Sequence, residues 1–216
     1  MSSVHRRPSD ATCPCSAKIA LLRTTDEVSK PGGCDASVDR HRSRAYARGM
    51  AGPVASVLLP SRMNVERVAA LRRGISRIAD EVRGDDFWVD QRPFILTVGP
   101  EHPEAISEVL EAGLPEVLGW SPEDVVSFAA MCNDDQDHRL LARLCIDLAE
   151  AEGGIIDFGG RLAIGPQLDG LEDDTPVRVE NPDGVTGVLL VTARSHYGDA
   201  ALARSWLRHA RFRMVK

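Results

Sequence analysis

Four places in the sequence bring together side chains able to do chemistry. Asn133-Asp134-Asp135-Gln136-Asp137-His138 offers a run of oxygen donors closed by an imidazole, the material of a cation site or of a general base. A calcium loop alternates its ligands, bends at a glycine and closes with a bidentate Glu, and none of these follows Asp137. The same residues are good helix starters. Asn133, Asp134 and Asp135 can accept backbone N–H bonds at an N-cap, and the acids suit the positive end of the helix dipole. The expectation is a cap, with His138 facing outward or packed beside it.

Ser195 and His196 are the second place. On a strand adjacent side chains point to opposite faces, so these two cannot act on each other as nucleophile and base, and no G-x-S-x-G turn surrounds the serine. Tyr197 reads as an edge aromatic and Asp199 as a helix cap. The third is Asp157 inside "GGIIDFGG", residues 153–160. Bare glycine backbone can approach a phosphate, but a phosphate loop runs strand, glycines, helix, and here the helix comes first. Gly153-Gly154 fall where a helix needs a left-handed cap, and Ile155-Ile156-Asp157-Phe158 reads as a short buried strand. The fourth, Glu172-Asp173-Asp174, is an acidic loop. No catalytic, cofactor-binding or metal-ligating set emerges from these groups. Glu172, Asp173, Asp174, Asp157, His138 and His196 remain as candidate partner-contacting residues.

The elements that must position them are legible from periodicity and punctuation. "PVASVLLP" at 53–60 reads as a strand, and Asn64 caps a helix whose apolar residues Val68, Leu71, Ile75, Ile78 and Val82 step by threes and fours until Gly84. "DFWVD" and "PFILTV" are short strands joined at Gln91-Arg92, without the Asn-Gly of a tight hairpin. Pro103 opens a helix carrying Ile106, Val109 and Leu110, and Pro115 breaks or kinks it before Trp120. Ser121-Pro122-Glu123-Asp124 would suit a helix start, while the β-branched run after it favours a strand at 125–131. A helix from Asp135 to Ala151 carries Leu140, Leu141, Leu144, Cys145, Leu148 and Ala149 on one face. "VRVEN" and "GVLLVTA" read as strands about "PDG", and Asp199 caps a last helix through Trp206 to His209. The expected fold class is α+β: a mainly antiparallel sheet with helices packed on one face, built from ferredoxin-like β-α-β units.

Charge divides the 216 residues in two. Residues 1–49 carry nine basic and five acidic side chains and much Ser, Pro and Gly, whereas the rest carries 17 basic against 27 acidic, a net of about −10. The reading is a disordered basic tail over 1–49, with Met50 a natural start of the domain, and one α+β domain over 50–216. Cys13, Cys15 and Cys34 in the tail do not have the spacing of a zinc knuckle, and Cys132 and Cys145 read as small core residues. With no signal peptide and no run near ~18 apolar residues, a cytoplasmic location and no membrane partner are expected. The three Trp read as core. A basic C-terminus, Arg204, Arg208, Arg211, Arg213 and Lys216, is too short beside an acidic body to make nucleic acid the main partner.

"DHRLLARLCIDLAEAEGGIIDFGGRL" and "DAALARSWLRHARFRMVK" together resemble small actinobacterial families of unknown function, some of them grouped with the immunity proteins of polymorphic toxin systems. The resemblance spans roughly residues 50–216; it carries no catalytic signature and no binding residue, and the tail has no counterpart in it. It implies a non-enzymatic binding protein without a cofactor, an immunity-type inhibitor that meets a cognate toxin or other basic protein through an acidic surface. Two other readings stand beside it: a small enzyme or ligand-binding domain using His138, Asp157 or His196 in a cleft, and a structural or regulatory module.

Overall fold

A computed structural model describes residues 52–99, 104–111, 113–165 and 175–215. The expected tail over 1–49 and the acidic run Glu172-Asp173-Asp174 lie outside the described residues. The elements run β1 (Val54–Leu59), α1 (Val65–Ile78), β2 (Glu81–Arg83), β3 (Asp86–Val89), β4 (Arg92–Val98), α2 (Glu104–Glu111), α3 (Leu114–Leu118), β5 (Asp124–Ala130), α4 (Asp135–Glu152), β6 (Ile155–Asp157), β7 (Val177–Glu180), β8 (Val188–Val191), β9 (His196–Gly198) and α5 (Ala200–Leu207). The strands form one sheet in the order β2-β3-β4-β5-β1-β6-β9-β8-β7, and every pair is antiparallel. Its centre, β4-β5-β1-β6 with α1 and α4 as crossovers, is a split β-α-β arrangement of the ferredoxin-like kind. β2-β3 widens one side and β9-β8-β7 the other.

Alternation along the strands sends two apolar sets to opposite faces. Ala55, Val57 and Leu59 of β1, Val126 and Phe128 of β5 and Ile156 of β6 join Leu71, Ile75, Leu141, Leu144, Leu202 and Trp206 in the larger core under α1, α4 and α5. Leu58, Val125, Ile155, Leu190 and Tyr197 form a smaller cluster with Val109 and Leu114, bordered by Val117, Leu118 and Trp120. Helices therefore pack on both faces, three longer ones on one and the short pair α2 and α3 on the other. A sequence period shows that a helix has a buried side but not which sheet face receives it.

The caps fall where side-chain chemistry puts them. Asn64 accepts from Arg67 N–H at 2.9 Å, and Asp199 from Leu202 N–H at 2.7 Å. Asp134 and Asp137 close a capping box at the start of α4, and Gly153 ends that helix in the left-handed region at φ 67°. Gly154 sits so close to β1 that an added Cβ would lie 2.6 Å from the Leu58 carbonyl oxygen. These glycines shape the chain and let two backbones meet.

Three local expectations are corrected. The first helix stops at Ile78, and Val82 belongs to β2, because Ala79 turns extended and Asp80 N–H donates to the Trp88 carbonyl. The β3–β4 connection is Asp90-Gln91 rather than Gln91-Arg92, with both residues at positive φ (51° and 63°), so the tight turn is made without Asn-Gly. Asp80 accepts from Gln91 N–H at 2.8 Å and Gln136 reaches Asp90 at 3.3 Å, which holds a conformation that non-glycine residues disfavour. Tyr197 is interior, between β6 and β8, and not an edge aromatic.

Candidate functional site

Partners in an antiparallel ladder share a face, and the register here aligns hydroxyls. Thr97 of β4 pairs with Ser127 of β5, Ser127 with Ser56 of β1, Ser56 with Asp157 of β6, and Asp157 with Tyr197 of β9. A polar row thus crosses the middle of the sheet on the α2–α3 side. Along one flank lie Leu58, Val125 and Ile155, within the cluster under α2 and α3. The other flank, Val54, Ala129 and Ile95, belongs to neither apolar cluster. The row runs along the border of the helical cover.

Within the row the Ser56 and Ser127 hydroxyls bond each other at 2.7 Å, so one of them keeps an uncommitted proton. Ser195, just before β9, donates its hydroxyl to Asp157 Oδ1 at 2.6 Å, and Gly159 N–H donates to the same oxygen at 2.8 Å. Among the described residues Asp157 Oδ2 accepts nothing and no cation lies within ion-pair distance of it. Burial pushes the Asp157 carboxyl above the usual carboxylate range, against the pull of Ser195 and Gly159.

The candidate residues separate rather than converge. Asp157 and Ser195 meet on the α2–α3 side, while His196 points the other way and accepts from Leu162 N–H at 3.0 Å through Nδ1. Its Nε2 is buried without a hydrogen-bond partner, and burial, reinforced by the Arg161 charge, pushes the ring down to about 4. His138 is only 1% exposed and uses both ring nitrogens, Nε2 with Asn133 at 3.0 Å and Nδ1 as acceptor from Met214 N–H at 3.1 Å. It ties the start of α4 to the C-terminal segment and does not face outward. Burial, with Arg213 second, lowers its pKa, so the ring stays neutral as that bonding requires.

Sequence reasoning missed Thr97, Ser56 and Ser127. The available signal was a single hydroxyl inside otherwise apolar runs, "VASV" and "VVSF", a place where a strand buried on both sides has no use for one. It also missed Arg92, buried beneath the α4 cap, which bonds Asp137 at 2.8 Å and Asp134 at 2.6 Å. Burial opposes the Asp134 charge, but Arg92 and the cap N–H donors outweigh it and hold that carboxyl below the usual range.

Two cavities of about 30 and 50 Å³ flank α1 and are lined mainly by apolar residues such as Leu71, Ile75 and Phe128, remote in the fold from Asp157. Among the described residues no group of three His, Cys, Asp or Glu is placed to hold a metal ion, and no helix is long and apolar enough to cross a membrane.

Charge is unevenly spread along the chain. From Pro93 to His138 there is no Lys or Arg, against ten acidic residues: Glu101, Glu104, Glu108, Glu111, Glu116, Glu123, Asp124, Asp134, Asp135 and Asp137. This stretch includes α2 and α3, and Glu111, Glu116 and Glu123 are exposed. The opposite helix layer is mixed, with exposed Arg73 and Arg77 on α1, Arg139 and Arg143 on α4 and Arg208 after α5 beside exposed Glu66, Asp135 and Glu150.

This fold, with its helix cap and "GGIIDFGG" turn, coincides with a family model matched over residues 51–216, described as a family of unknown function (DUF6368). The chain belongs to this family. The match covers the whole described region, so the polar row, the α4 capping box and the acidic α2–α3 stretch all lie inside the family domain. No curated protein and no solved structure matches the chain.

Proposed function

We propose that the protein is a non-enzymatic binding protein whose acidic α2–α3 side meets a basic protein partner, in the manner of an immunity-type inhibitor of a cognate toxin. The observation that carries this reading is the stretch 101–124, which has seven acids and no Lys or Arg and includes α2 and α3, the helices that pack on one sheet face. A patch of one sign raises the encounter rate with an oppositely charged partner and rejects like-charged ones. The reading predicts that a toxin is encoded beside this gene, that cells expressing it survive if the protein is supplied, and that the two proteins co-purify. Replacing exposed Glu111, Glu116 and Glu123 by Lys weakens that complex about tenfold or more and flattens its salt dependence. A complex whose affinity ignores both salt and these three reversals overturns the reading.

A second reading, a small-ligand or enzymatic site, is favoured by Asp157 with its unbonded Oδ2 beside Ser195. It works without the histidines, which lie on the other side of the sheet, and it predicts an activity that Asp157→Asn abolishes in a folded protein.

A further inference from the structure

We propose that Asp157 and the hydroxyls aligned with it form a receptor for one cationic, hydrogen-bond-donating group, a guanidinium or an ammonium. The carboxylate supplies the charge and is already oriented: Oδ1 is fixed by Ser195 at 2.6 Å and Gly159 at 2.8 Å, which leaves Oδ2 as the acceptor. Ser56 is its neighbour across the ladder, with the two Cβ atoms roughly 5 Å apart, and is hydrogen-bonded to Ser127, not to Asp157, so a further hydroxyl oxygen lies in the same row as Oδ2. A sheet face under a helical cover ordinarily places aliphatic residues here, and one open to water tolerates any charge. A half-buried carboxylate with no cation beside it among the described residues is the costly arrangement, and a bound cation removes that cost. The apolar flank outside the helical cover, Val54-Ala129-Ile95, suits the aliphatic stem that carries such a group. Arginine and lysine side chains have that shape. The inference rests on the basic-partner reading for the source of the group, a side chain of the partner, while the site itself is tested without any partner.

The experiment is an NMR titration of the full chain, labelled at its Asp carboxyl carbons, with acetyl-arginine amide, acetyl-lysine amide and the neutral acetyl-citrulline amide at constant ionic strength. The Asp157 signal moves and saturates in the millimolar range with the cations and not with citrulline. Asp157→Asn keeps an acceptor for Ser195 and Gly159, so it folds, yet it lowers the affinity about tenfold. Glu111→Lys, on the cover, leaves the probe affinity unchanged, which separates this site from the acidic-surface reading. Equal response to citrulline, a drift that never saturates, or unchanged binding in Asp157→Asn overturns the proposal.

Discussion

Beneath the helix layer Arg92 gives its guanidinium to Asp134 and Asp137, and His138 uses both ring nitrogens, whereas on the α2–α3 side Asp157 leaves one oxygen unbonded and sits without a cation among the described residues. The two sides hold similar chemistry, a carboxylate near hydroxyls or imidazoles, but only one closes its network. A closed network fixes structure, because each polar group is most costly when left alone in low dielectric. An open one keeps an acceptor for something outside the chain. His196, whose Nε2 lacks a partner, is the exception on the helix side and marks a liability there.

The largest test of this contrast is Arg92→Met. It strands the fully buried Asp137 and is expected to cost about 3–5 kcal/mol in urea unfolding, while Arg92→Met with Asp137→Leu recovers much of the loss. A loss under about 1 kcal/mol would break the claim that this network is structural.

Next in size is the pH response of His196. Its folded pKa, about 4, lies below the ordinary 6.5, so the unfolded chain binds the extra proton and stability is lost as pH falls. The expected His196 contribution is about 1.4 kcal/mol per pH unit between those two values, so the wild-type slope falls by that amount in His196→Phe. His138 shifts in the same direction and adds to the wild-type slope.

Asp157→Asn is expected to do the opposite of the Arg92 change and stabilise by about 1 kcal/mol, since the carboxyl pKa is raised and its charge is a burden that the amide lacks. A destabilisation of similar size would show Asp157 to be part of a closed network after all. The smallest effect sharpens the comparison at the β3–β4 turn. Replacing Asp90-Gln91 by Asn-Gly relieves two positive φ values and is expected to add roughly 0.5–1 kcal/mol, read as a rise in Tm.

Much of the frame was legible before any coordinates. The α4 cap, its glycine end, the strand over Asp124–Ala130 and the start of α1 at Asn64 follow from side chains acting on backbone groups within a few residues. The candidate site was legible only in part. Asp157 stood out by its glycines, but nothing within its own segment announces Ser56, and His138 and His196 drew notice as polar groups while their burial was invisible.

By itself the sequence determined where helices begin and end, which runs are strands, and that acids and arginines are unevenly spread, because capping, periodicity and charge are local properties. Only the tertiary structure decided that Ser56 meets Ser127, 71 residues away, that Asp157 falls into their row, and that α2 and α3 cover the face opposite α1, α4 and α5. Register and face are set by packing between distant segments, and a shift of one residue in any strand would have turned the hydroxyls to the other side.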